Sequence, residues 1–178
     1  EKKDSRDLER RALTQRSKER VERREELRAA AEQVAAAING ARTTLPLRMA
    51  AEALLSICSS PVGIVEAAQK QCAKAVLVLI DRIKSKHLVI ERAVEVLFRM
   101  AVDEGHGRTA VIRAEGMRKL LELLQACYTS ENVCLITLRT MLCLVNDEDV
   151  ARDGLKGGLL DRVADVMTIH KRSNEMQL

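Results

Sequence analysis

A chain of 178 residues that is 47% hydrophobic and 31% charged can bury one sizeable core, and it is too polar for a membrane protein and too apolar for a disordered one. Phe98 and Tyr128 are its only aromatic residues, which argues against binding single-stranded nucleic acid by base stacking. The net charge of +4 is uneven: residues 1–28 hold eleven Lys/Arg and eight Asp/Glu, and carboxylates interleaved with the cations would repel phosphates.

Helix formers dominate, and only 2 Pro and 8 Gly interrupt them. The pattern predicts helices at roughly 5–39, 46–58, 62–70, 72–85, 88–102, 106–114, 116–127, 131–145, 148–155 and 158–170. The first is charged nearly all round over residues 1–26, with Leu8, Ala12, Leu13 and Val21 as interruptions. From Leu27 an apolar stripe follows through Ala31, Val34 and Ile38, so this end should join the core. Gly40 stands where a helix end would need positive φ. Thr44 before Pro46 and Ser60 before Pro61 read as cap and first turn, and Ser85 and Ser130 precede further apolar runs.

Apolar residues recur along the chain. Val34, Leu77, Leu120 and Val163 are spaced by 43 residues, as are Ala37, Ile80, Leu123 and Val166. A third column, Ala50 to Ala93 and Leu54 to Leu97, starts at 43 and continues to Cys134 and Leu138 after a step of 41. A shorter turn at 128–130, made up around 146–149, would explain the slip. A lone helix pair cannot bury its apolar face and stacked neighbours can, so the period argues for an α-solenoid over an ordinary bundle.

Residues Ala110 to Met117, with Gly116, resemble the short helix and glycine of an armadillo repeat. Leu120, Leu121, Leu123 and Leu124 resemble its second helix, and Ala93, Val96, Leu97, Met100 and Ala101 its third. Gly157, Gly158, Leu159 and Leu160 repeat the theme. The resemblance implies an all-α, right-handed armadillo-like solenoid of about 3.5 repeats over 27–172, after a charged helical arm at 1–26 and before a polar tail at 173–178. In the importin-α branch a Trp and, four residues on, an Asn line the concave groove. The matching pairs here are Glu52 and Ser56, Glu95 and Arg99, Ile136 and Thr140. None is Trp or Asn, so capture of nuclear-localisation signals does not carry over. These six residues are the expected partner-binding positions of the concave face. A second candidate surface is the arm, through Arg10, Arg11, Arg16, Lys18, Arg20, Arg23 and Arg24.

Other chemistry is not expected. Gly105, His106 and Gly107 lack the strand and the Lys-Ser/Thr that a phosphate loop needs. His87, His106 and His170 lie far apart, and no His/Cys group has zinc spacing. A Cys127–His106 pair would have no orienting third group. Asp147, Glu148 and Asp149 open a helix, where the dipole favours negative charge. Five cysteines without disulfide-like spacing point to a reducing compartment. The sequence thus predicts no catalytic residue, no cofactor and no metal. Its expected partners are proteins within a multi-protein complex, without nucleic acid or membrane insertion, in the cytoplasm and on cytoskeletal or ciliary structures. The expected function is a non-catalytic scaffold holding a partner segment on the concave face. The alternative is a structural subunit of a cytoskeletal or axonemal assembly, tethered by the charged helix.

Overall fold

A computed structural model describes residues 2–41, 43–83 and 86–171, with side chains from residue 13 onward. Among these residues the fold is all-helical, with α1 (Lys2–Gly40), α2 (Thr44–Ile57), α3 (Pro61–Gln69), α4 (Cys72–Arg82) and α5 (His87–Val102) followed by α6 (His106–Arg113), α7 (Gly116–Ala126), α8 (Glu131–Leu144), α9 (Glu148–Lys156) and α10 (Leu159–Ile169). Among the described residues, no helix is long and apolar enough to cross a membrane.

Local chemistry sets several boundaries. The Ser60 hydroxyl accepts from the Gly63 amide at 3.1 Å, with Pro61 in the first turn of α3. Asp147 accepts from the Val150 amide and opens α9, and Glu148 and Asp149 add negative charge to that first turn. Elsewhere the expected caps differ. Thr43 precedes α2, Thr44 is already helical, and neither Thr43 nor Ser130 makes a side-chain cap bond. Gly40 ends α1 without positive φ. Ser85 lies outside the described residues.

A recurring turn starts α4, α7 and α10. Gln71, Glu115 and Gly158 each precede one of these helices with φ of 56°, 60° and 84°. Each is left-handed, a conformation that costs an L side chain energy. The residue in this position before α7 is therefore Glu115 and not Gly116. Gly116 is needed for a different reason: a Cβ there would meet the Val111 carbonyl oxygen at 2.8 Å.

These turns fix the register. Gln71 and Glu115 are 44 residues apart, and Glu115 and Gly158 are 43 apart. Burial follows the same steps. Leu47, Ile90 and Cys134 are equivalent, as are Ala50, Ala93 and Thr137, Leu54, Leu97 and Met141, and Ile57, Met100 and Leu144; all twelve are buried. The slip of 41 is therefore absent. Cys134 matches Ile90, and Leu138 does not continue the Leu54 column. Val76, not Leu77, matches Leu120. Ala37 is exposed, and the neighbouring Ile38 is buried in its place.

Counterparts in successive groups pack on one another, α2 on α5 and α5 on α8, α1 on α4, α4 on α7, α7 on α10, and α3 on α6. Polar ties reinforce the rows. Arg82 of α4 donates to the carbonyls of Ile38 and Asn39, at 3.0 and 3.1 Å, at the end of α1. Lys119 of α7 donates to Asp81 of α4 at 2.8 Å, and this bond holds its ammonium above the ordinary lysine range.

Candidate protein-interaction surface

The row α2, α5, α8 presents one outward stripe per helix. Leu45, Arg48, Met49, Glu52 and Ser56 fall at helix-face spacing on α2, and Leu88, Arg92, Glu95 and Arg99 do so on α5. Leu45, Met49 and Leu88 are exposed despite being apolar.

The charges on this stripe are satisfied within the chain. Arg48 Nε donates to Glu52 at 3.1 Å. Glu95 accepts from Arg92 at 2.9 Å and from Arg99 at 3.1 Å. Arg99 also reaches the Leu55 carbonyl at 3.5 Å, joining α5 to the end of α2. Glu52 and Ser56 are exposed, and Glu95 and Arg99 are partly buried.

The register corrects the positions expected on α8. Ile136, partly buried, matches Met49 and Arg92. Thr140 is fully buried and donates to the Ile136 carbonyl at 2.7 Å, so its side chain is not on the surface. The residues that match Glu52/Glu95 and Ser56/Arg99 are Arg139, exposed, and Cys143, partly buried. Sequence reasoning missed both because it followed Ala93 and Leu97 through a step of 41. Aligning the starts of the two helices, with Val89 and Ile90 against Val133 and Cys134, would have found them.

On α1, Arg16, Lys18, Arg20 and Arg23 are exposed. Arg10 and Arg11 lie outside the described side chains. Arg24 turns instead to the body of the protein, with its Nε 2.6 Å from Oε1 of Glu66 on α3. Among the described side chains of the helix, Leu27 is the first apolar one to pack.

No group of three metal-binding side chains comes together among the described residues. Burial pushes the thiols of Cys58 up to about 12 and of Cys72 and Cys134 up to about 11, far from a reactive thiolate. Near Gly107, the Asp103 carboxylate accepts from the Gly107 amide at 2.8 Å and so occupies the donor that an anion would need. A cleft of about 750 Å³ lies open beside it, between α3, α4 and α6.

No family model, curated protein or solved structure matches the chain.

Proposed function

We propose that the chain is a short armadillo-type, right-handed solenoid that serves as a non-catalytic scaffold and holds an extended segment of a partner protein along the α2, α5, α8 row. The observation that carries this reading is the pairing of Leu45 with Leu88. They occupy equivalent positions, both are exposed, and each heads a stripe of charges held rigid by intrachain bonds. Two apolar anchors beside ordered ion pairs form a surface that meets a partner with little loss of conformational freedom. The recurring left-handed turns support the armadillo-type reading, because the same turn conformation precedes α4, α7 and α10. Such a scaffold works in the cytoplasm inside a multi-protein complex.

A second reading has its own support. The side chains of residues 13–26 are exposed along one continuous helix, which suits a tether holding a structural subunit in a cytoskeletal or ciliary assembly. Capture from native extract separates the two. Wild type is compared with a chain lacking residues 1–20 and with a Leu45→Glu, Leu88→Glu, Arg139→Glu variant. The scaffold reading expects a specific partner to be lost with the second variant and kept with the first. The reverse pattern supports the tether.

A further inference from the structure

The cleft of about 750 Å³ between α3, α4 and α6 shares no residue with the α2, α5, α8 row. Ala68, Ala73, Ala110 and Ala114 line it, and side chains this short let an occupant come close to the helices. Beside them stand Gln69, Gln71, Lys74 and Arg113, all exposed. Among the described residues, none of these four side chains makes a hydrogen bond or an ion pair. Glu104 is the one carboxylate that lines the cleft, and Arg108 stands 4.0 Å from it. The register shows how Lys74 comes to lack an acid. Gln71, Lys74 and Val78 on the α4 side match Glu115, Arg118 and Glu122 on the α7 side. There Arg118 donates to Glu115 at 2.9 Å and to Glu122 at 2.6 Å. At the cleft the cation is kept and both acids are replaced by neutral residues. Other cations of the body are answered within the chain, as in Arg24 to Glu66, Lys70 to Glu32 and Lys119 to Asp81.

The geometry points to this cleft as a docking site for an extended acidic segment of another protein. Its carboxylates meet Lys74 and Arg113, and its backbone meets Gln69 and Gln71. Charge selects this occupant first: two cations without acids of their own favour a partner that supplies them. The glutamines select a peptide, because each amide both donates and accepts, as the N–H and C=O groups of an extended chain require. Gln71 adds a further sign. It carries a side chain at φ of 56°, where Gly158 needs none. Glu115 in the same position uses its side chain to hold Arg118, whereas that of Gln71 is left for an outside partner. A phosphate group suits the cleft less well. Its two cations stand on different helices, Glu104 shares the space, and the Gly107 amide at the start of α6 is already bonded to Asp103.

Fluorescence anisotropy with the full chain tests this, at about 50 mM salt, where surface charges are weakly screened. The probe is a labelled peptide of about ten residues alternating glutamate and serine, which sets the glutamates on one side when extended. The same peptide with glutamine for glutamate should not bind. Lys74→Glu with Arg113→Glu should weaken the acidic peptide about tenfold or more, and Lys86→Glu with Lys171→Glu, the same change in charge elsewhere, by less than about twofold. Gln71→Gly, which relieves the backbone and spares the fold, should weaken it about threefold. Circular dichroism checks the charge variants, and if the cleft variant misfolds, Gln71→Gly decides. The inference is overturned if the two peptides bind alike, if both charge variants lose equally, or if neither cleft variant loses affinity. Displacement of the peptide by inorganic phosphate beyond that by chloride at equal ionic strength would instead assign the cleft to a small anion. None of these variants alters the α2, α5, α8 stripe, so the scaffold reading is judged separately by partner capture.

Discussion

Arg24 Nε lies 2.6 Å from Oε1 of Glu66, while the other carboxylate oxygen of Glu66 is buried without a partner. Glu66 is only 1% exposed and Arg24 remains 57% exposed. The contact joins α1 to α3 just where the exposed part of α1 ends. Removing Arg24 strands a buried carboxylate. Arg24→Ala should cost about 2 kcal/mol, less than the ~3–5 expected for a fully buried pair, because water already screens the guanidinium. Adding Glu66→Leu to that variant should recover most of the loss, since both the charge and the unpaired oxygen disappear. Urea unfolding of the two variants and wild type checks this. Equal losses in both would mean that Glu66 is not the reason for the cost.

The left-handed turns make a prediction of opposite sign at equivalent positions. Gln71 pays for φ of 56° with a side chain, and Gly158 holds φ of 84° without one. Gln71→Gly should stabilise the fold by up to ~1 kcal/mol, and Gly158→Ala should destabilise it by ~1–2 kcal/mol. The added Cβ at Gly158 meets nothing closer than Asp161 at 3.8 Å, so the cost there is conformational. Thermal midpoints of the two proteins should move in opposite directions.

Thr137 is fully buried and its hydroxyl has no partner, at the position where α2 and α5 carry Ala50 and Ala93. Thr137→Val keeps the shape and removes the unsatisfied group. It should gain ~1 kcal/mol in urea unfolding. A loss would show that the hydroxyl is satisfied in solution.

The buried thiols predict a pH response. Cys58, Cys72 and Cys134 ionise near 9 when unfolded and near 11 to 12 when folded. Below pH 9 both states hold the proton and the contribution to stability is complete. As pH climbs toward 11 and 12 the unfolded state alone loses protons, so stability falls. Replacing the three with Ala or Val should flatten the alkaline limb of a stability profile. Native-state alkylation at pH 8 should reach Cys143, partly buried, before these three.

The helices were legible in the sequence because their signals are local. The Ser60 and Pro61 cap, the Asp147 cap and the apolar faces of α5 and α7 needed only spacing and turn chemistry. The register was harder to read. A run such as Leu120, Leu121, Leu123, Leu124 tolerates a shift by one residue, so Leu77 and Val76 both looked like partners of Leu120. The three left-handed turns separate them, and two of those turns carry Gln71 and Glu115 and give no glycine signal. On α8 the misreading was larger, a step of 41 in place of 44, and it displaced the expected surface from Arg139 and Cys143 to Ile136 and Thr140. The bonds between Glu95 and its two arginines were legible as spacing. The Arg24 contact to Glu66 joins residues 42 apart and left no local trace.

The most direct test of the scaffold reading is photo-crosslinking with benzoylphenylalanine placed singly at Glu52, Ser56 and Arg139, and as controls at Glu25 on α1 and Asp161 on α10. In native extract, one partner should crosslink from all three positions on the α2, α5, α8 row and from neither control. Crosslinks from Glu25 alone would contradict the scaffold reading and leave the charged helix as the binding element.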